Sequence, residues 1–111
     1  MTYDAVVQIA LALPDVEEGL TWGTPGVKRK GRFMFRLKED GETIAVKLDW
    51  ETRDRLLSEL PQVYFLTPHY EGYPALLARL SVLTEDLARP LVEASWADAL
   101  KPAKRAGSDE G

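Results

Sequence analysis

The sequence predicts an α+β domain in which helices cover one face of an antiparallel sheet of about five strands. Three observations support this fold class. Apolar residues recur at helical spacing in three separate segments. Short stretches of alternating apolar and polar residues lie between those segments. Glycine and proline separate the stretches, so the expected order of elements is αβββαββα.

The first half of the chain predicts one helix, a loop and a three-stranded meander. Thr2 is suited to cap the helix, and Pro14 ends its apolar stripe. Residues 15–26 are interpreted as a loop, because glycine and proline interrupt them repeatedly. The meander is expected at residues 27–30, 32–38 and 43–48, with turns at Lys30-Gly31 and Asp40-Gly41.

Alternation in the meander predicts one apolar and one basic face. The face toward the core is expected to carry Phe33, Phe35, Leu37, Ile44, Val46 and Leu48. The opposite face is expected to carry Arg32, Met34, Arg36, Lys38, Ala45 and Lys47. The charged face would then be the one available for binding.

The second half predicts a helix, two strands and a last helix. Asp49 is suited to cap a helix over 50–60, and residues 63–66 indicate a fourth strand. Residues 75–80 fit either a strand or a helix; the shortness of the segment favours a fifth strand. The last helix is expected to begin at Thr84 or Asp86 and to reach about residue 100. Pro90 should either kink this helix or mark its true first turn. We therefore predict a single domain over 1–100 and a disordered polar tail over 101–111.

Length and composition exclude several classes of protein. A chain of 111 residues with 45% hydrophobic side chains can bury a core without disulfides or metals. It contains no cysteine, which excludes disulfides and thiolate chemistry and fits the cytoplasm. The N-terminus lacks the basic region of a signal peptide, and no apolar run is long enough to span a membrane. We expect a cytoplasmic protein without a membrane partner.

Positive charge is concentrated in one short segment. The net charge is −4, which argues against a protein that coats DNA generally. Yet six of the 14 lysines and arginines lie within residues 27–38, which contain no acidic residue. Such asymmetry is typical of a polyanion-binding surface, although a solvated sheet face that improves solubility would have the same composition.

A set of short motifs follows one another along nearly the whole chain. The motifs are Leu13-Pro14, Trp22-Gly23-Thr24-Pro25, Lys30-Gly31-Arg32-Phe33, Lys47-Leu48, Thr67-Pro68-His69-Tyr70, Gly72-Tyr73-Pro74, Leu80 and Ser95-Trp96. In this order they resemble the MmcQ/YjbR-like family. The resemblance implies a fold similar to that of type III secretion chaperones and a double-wing DNA-binding motif. The residues at the basic and aromatic positions of the family are Trp22, Lys30, Arg32, Lys47, His69 and Tyr70.

Three functional hypotheses follow. In the first, the domain binds nucleic acid weakly and salt-sensitively, Trp22 or Tyr70 stacks on a base, and phosphates are contacted by Lys28, Lys30, Arg32, Arg36 and Lys47. In the second, the domain is a protein- or peptide-binding module, dimeric in solution, that does not bind DNA. In the third, a small molecule binds near Trp22 and His69, which requires a partly apolar cavity between the loop and the sheet.

No catalytic motif or metal site is indicated. His69 is the single histidine, and Glu71 is the only acidic residue close to it in sequence. No cysteine or second histidine is available to complete a zinc site, and Ser95-Trp96 lacks the surroundings of a nucleophile elbow. We expect the protein not to be an enzyme and to need no cofactor.

Overall fold

The computed structural model describes residues 1–101 and places three α-helices beside a six-stranded antiparallel sheet. The strands lie in the order β1-β2-β3-β4-β6-β5. In chain order, the elements are α1 (Tyr3–Leu11), β1 (Val16–Thr21), β2 (Thr24–Arg29), β3 (Arg32–Leu37), β4 (Thr43–Lys47), α2 (Trp50–Glu59), β5 (Tyr64–Phe65), β6 (Ala75–Arg79) and α3 (Glu85–Ala99). The α+β class and the antiparallel sheet are thus confirmed, with six strands instead of five. The tail prediction for 102–111 lies outside the described residues.

The predicted helix starts are confirmed by their caps. The side chain of Thr2 accepts a hydrogen bond from the backbone N–H of Ala5, and that of Asp49 accepts one from Thr52. Thr84 caps α3 in the same way, so Pro90 lies inside that helix. None of the helices described in residues 1–101 has the length and apolar character needed to cross a membrane.

Residues 15–26 do not form the predicted loop. They contain β1 and the beginning of β2, which pair as a hairpin around Trp22 and Gly23. Because β1 is an edge strand with most of its residues exposed, it lacks the apolar alternation by which a strand is recognised. The glycines and proline that suggested a loop lie within or between two paired strands.

A β-bulge changes the faces predicted for β3. Lys28 pairs with Phe33, whereas Val27 pairs with Phe35, so Met34 is an extra residue in β3. Met34 and Phe35 are both buried in the core. The alternation rule therefore misplaced Phe33, which was expected in the core, and Met34, which was expected on the opposite face.

The two faces of the sheet are covered differently. Helices α1 and α3 pack on one face and form the main core with β3, β4 and β6. On the opposite face, called the outer face below, a smaller apolar cluster joins Tyr70 to Ala45, Ala75 and Leu77. The connection between β5 and β6, residues 66–74, thus covers part of the outer face and leaves a cleft beside it.

Candidate functional site

A cleft of about 570 Å³ opens on the outer face, between β3 and β4, the β1–β2 turn and the connection 66–74. Its lining residues are Trp22, Phe33, Arg36, Ala45, Lys47, His69, Tyr70, Tyr73, Pro74 and Ala75. Most of this lining is aromatic or apolar, with two cationic side chains. The cavity required by the third sequence-based hypothesis is therefore present.

Trp22 is held at the mouth of the cleft by the β1–β2 turn. Trp22 and Gly23 both have positive φ angles, of 52° and 83°, as a two-residue type I′ turn requires. A bulky residue in this left-handed region is strained by about 1–2 kcal/mol. Trp22 is 75% exposed as a residue, and its ring meets that of Phe33 edge-on, with ring centroids 5.8 Å apart. The backbone thus keeps a large aromatic ring in solvent at an energetic cost, which is typical of a functional position.

Arg36 forms the inner wall of the cleft, and its residue is only 7% exposed. Its Nη1 donates to the hydroxyl of Thr24 at 3.0 Å and lies 3.5 Å from a carboxylate oxygen of Glu39. Its Nη2 donates to the hydroxyl of Tyr70 at 3.5 Å, and its guanidinium carbon lies 5.4 Å from the ring centre of Trp22. The Nε of Arg36 is buried and has no hydrogen-bond partner among the described residues.

Glu39 is the acidic partner of Arg36, and it remains charged. A backbone hydrogen bond at Glu39, helped by the charges of Arg36 and Lys38, holds the pKa of this carboxyl below its usual value. The Glu39 side chain is 67% exposed. Solvent therefore screens the compensation that Glu39 gives to the buried guanidinium.

The connection 66–74 supplies the aromatic wall opposite Trp22. The ring of His69 lies 5.0 Å from that of Tyr70 and 5.4 Å from that of Tyr73. The ammonium of Lys38 lies 5.0 Å from the Tyr70 ring and donates to its hydroxyl at 3.4 Å. These contacts hold His69 by aromatic neighbours on both sides.

Arg53 on α2 supports this wall through hydrogen bonds to the backbone of the connection 66–74. Its Nη1 donates to the carbonyl oxygens of Glu71 and Tyr73, at 3.1 and 2.6 Å. Sequence analysis gave Arg53 no role, although an arginine among the apolar positions of a predicted helix was a visible signal, and the structure shows it to be buried. Phe33 was also missed as a site residue, because only the bulge in β3 turns it toward the cleft.

The structure brings five of the eight predicted site residues to the cleft, namely Trp22, Arg36, Lys47, His69 and Tyr70. Lys28 lies on the same outer face, since it pairs with Phe33 across β2 and β3. Lys30 lies in the β2–β3 turn, 3.9 Å from Asp15. Arg32 pairs with Arg29, whose guanidinium stacks 3.6 Å from the ring centre of Trp96 on α3, so Arg32 belongs to the helix-side face.

Several cations of the candidate surface are already paired. Lys47 Nζ lies 2.5 Å from Asp98, and both side chains are largely buried. Lys38 Nζ lies 3.8 Å from Glu39, which it shares with Arg36. Neither Lys28 nor Arg32 forms an ion pair within residues 1–101, although Lys28 lies directly opposite Glu17 across β1 and β2. The outer face is therefore less positive than the sequence of the hairpin suggests.

The same part of the chain offers little to a metal ion. Within residues 1–101, no group of three or more histidine, aspartate or glutamate side chains is arranged to hold one. The lining residues of the cleft offer aromatic rings for stacking, hydrogen-bond donors and two cationic side chains.

Comparison with known proteins identifies the family. The chain is 29% identical over 110 residues to the uncharacterised proteins Mb2600 of Mycobacterium bovis and Rv2570 of Mycobacterium tuberculosis, covering 86% of this chain and 85% of theirs. The crystal structure of DR2400 from Deinococcus radiodurans, with a DUF419 domain, matches with a TM-score of 0.73 at 20% identity, over 98% of this chain and 86% of that one. The YjbR family model matches residues 11–98. The motifs, the fold and this match together show that the chain belongs to the YjbR family.

Proposed function

We propose that this domain binds single-stranded nucleic acid, with one unpaired base in the cleft. The observation that carries the proposal is the combination of aromatic rings from two sides of the cleft, Trp22 with Phe33 and Tyr70 with Tyr73, beside the cation Arg36. Stacking of a base on an aromatic side chain contributes about 1–3 kcal/mol and tolerates any base. Lys28 would contact a phosphate next to the bound base.

The charge distribution favours a single strand over a duplex. Duplex binding requires several phosphate contacts from unpaired cations, whereas Lys47 is neutralised by Asp98 and Arg36 is buried. Lys28 pairs in register with the cleft residue Phe33 on one side and with Glu17 on the other, and within residues 1–101 it forms no ion pair. With one or two phosphate contacts, the logarithm of affinity should fall with the logarithm of salt concentration with a slope of about −1.

Fluorescence anisotropy with a labelled 12-nucleotide strand and its duplex tests the proposal. The strand should bind more tightly than the duplex, and Trp22→Ala should weaken binding at least about tenfold, the equivalent of one lost stacking contact. Lys28→Glu should weaken binding and flatten the salt dependence. Arg32→Glu is the matched control, because it reverses a charge on the neighbouring strand but on the helix-side face.

Two results would contradict the proposal. One is the absence of single-strand binding at low salt. The other is equal loss of binding in Lys28→Glu and Arg32→Glu, which would point to a diffuse electrostatic interaction without a defined face.

A second candidate function is peptide binding, and the open edge of β1 favours it. The outward side of β1 has no pairing strand within residues 1–101, and Leu20 on β1 is 72% exposed. Because Glu17 and Glu18 are exposed on the same strand, the fitting partner is an extended basic segment. Titration of a basic eight-residue peptide should protect the β1 amides from hydrogen exchange, and Glu17→Lys with Glu18→Lys should remove that protection. Unchanged exchange at β1 in the wild-type protein would exclude this candidate.

A further inference from the structure

We propose that the cleft selects ligands in which a flat ring carries an oxyanion, and that the buried Nε–H of Arg36 donates a hydrogen bond to that oxyanion. The ligand class is then a nucleotide phosphate or a ring-bound carboxylate, and a neutral ring such as a nucleoside binds less well. This inference rests on the proposed use of the cleft and names the group that its inner wall recognises.

The first argument is the unfilled donor on Arg36. A guanidinium has five N–H donors, and the contacts of Arg36 with Thr24, Tyr70 and Glu39 involve Nη1 and Nη2 alone. Its Nε is buried without an acceptor, in a residue that is 93% buried and lines the cleft. Buried donors without an acceptor are rare in native proteins, because the loss of hydration is not compensated. Within residues 1–101 the Nε atoms of Arg29 and Arg53 are also buried without a hydrogen bond, but neither residue lines the cleft. Because the Arg36 Nε has almost no accessible surface, an oxygen atom of a ligand supplies its missing acceptor after a small shift of the Arg36 side chain toward the cleft.

The second argument is the charge balance at the inner end of the cleft. Arg36 and Lys38 both contact the hydroxyl of Tyr70, and both form an ion pair with the exposed carboxylate of Glu39. Lys38 also interacts electrostatically with Asp40. The other neighbours of the guanidinium are the neutral Thr24 and the ring of Trp22, so within residues 1–101 the ion-pair partner of Arg36 is one screened carboxylate. A charge-assisted hydrogen bond from the Arg36 guanidinium to a bound oxyanion would complete the compensation.

The third argument is the shape of the ligand that fits. Trp22 lies over both the Arg36 guanidinium and the edge of Phe33, so a ring beside Trp22 lies next to the guanidinium. Arginine binds carboxylates and phosphates through its planar fork. The arrangement therefore favours one molecule that contains both a flat ring and an oxyanion.

Adenosine 5′-monophosphate and adenosine provide the test, because they share a ring and differ in the phosphate. Calorimetry on the full chain should give an affinity about tenfold higher for the monophosphate. In Arg36→Gln the two affinities should become similar, whereas Arg55→Gln, an exposed arginine of α2, should keep the tenfold ratio. Arg36→Lys retains a cation without the Nε donor and should lose most of the preference.

NMR spectra of the wild-type protein test the proposal even if Arg36→Gln does not fold. The Nε–Hε signal of Arg36 should shift with the monophosphate, should shift less with inorganic phosphate at the same concentration, and should not shift with adenosine. Equal affinities for the two compounds, or an unchanged Nε–Hε signal while the monophosphate is bound, would overturn the inference.

The outcomes separate this inference from the proposed function. If the 12-nucleotide strand binds and the monophosphate does not, the anion pocket is refuted and strand binding stands. If the monophosphate binds with its tenfold preference and the strand does not, the anion pocket is supported and its ligand is a free small molecule. Displacement of the strand by the monophosphate would place both ligands in the same cleft.

Discussion

Ser95 on α3 donates its hydroxyl proton to the carbonyl oxygen of Met34, the extra residue of the bulge in β3, at 3.0 Å. Both residues are fully buried. The bond ties the helix layer to the one irregular point of β3, at which Phe33 turns toward the cleft and Met34 toward the core. Next to Ser95, Trp96 donates from its indole N–H to the carbonyl oxygen of Pro14 at 2.8 Å. These two hydrogen bonds from α3 thus fix the bulge of β3 and the connection between α1 and β1 on the helix side of the sheet.

Ser95→Ala should lower the free energy of unfolding by about 1–2 kcal/mol, because the buried Met34 carbonyl would lose the hydrogen bond from Ser95. Urea denaturation measures this change. Ser58→Ala, on the exposed side of α2, is the control and should stay within about 0.5 kcal/mol of wild type. Equal stability of the two variants would mean that the bulge does not depend on Ser95.

The pair Lys47–Asp98 should be strongly coupled. Asp98→Ala leaves a largely buried ammonium without its anion, so we expect a loss of about 3 kcal/mol in unfolding free energy. Replacing both residues by Met and Leu should recover most of that loss, because no unpaired charge remains. The exposed pair Arg55–Glu59 on α2 is the control, with an expected coupling below about 0.5 kcal/mol. Similar coupling energies for the two pairs in double-mutant cycles would contradict the strong coupling expected of Lys47 and Asp98.

The helices and the central strands could be predicted from the sequence, because their signals are local. Thr2, Asp49 and Thr84 act as caps within the turn that they begin. Strand β4 is short and strongly apolar, and β6 was recognised by its length. β1 was missed because an exposed edge strand needs no apolar face.

The candidate site could be predicted only in part, because its geometry depends on the bulge. The basic hairpin and the two aromatic segments pointed to Trp22, Arg36 and Tyr70. The position of Phe33, in contrast, follows from a bulge that Ser95 stabilises from 61 residues away. The pairing of Lys47 with Asp98 is equally non-local, so charge counting along the sequence overstated the positive charge of the outer face.

Tyr3 should make the fold sensitive to alkaline pH. Burial, with a smaller contribution from the charge of Glu18, raises the pKa of Tyr3 to about 12. In the unfolded chain this pKa is about 10. The folded form therefore holds the phenol proton longer than the unfolded form does, and its stabilising effect is complete below pH 10 and is lost as the pH rises toward 12.

Urea denaturation at a series of pH values from 9 to about 11.5 checks this prediction. Tyr3→Phe should retain the edge-on packing against Phe35 and should lose less stability over this range than wild type. Tyr73→Phe, an exposed tyrosine, is the control and should follow the wild-type curve. If Tyr3→Phe also followed it, the alkaline sensitivity would have to come from Tyr64, whose pKa burial also raises.

Trp22→Asn and Trp22→Ala should differ in stability but not in binding. Both variants remove the ring at the mouth of the cleft, so both should lose binding of the single strand and of the monophosphate. Asparagine tolerates the left-handed conformation that the turn requires, whereas alanine does not. Trp22→Asn should therefore be more stable than Trp22→Ala by about 1 kcal/mol in thermal or urea unfolding. Because the two variants share the lost ring contacts with Phe33 and Arg36, the difference isolates the backbone strain at position 22. Equal stability would mean that the turn holds Trp22 without strain, and retained binding in either variant would remove Trp22 from the site.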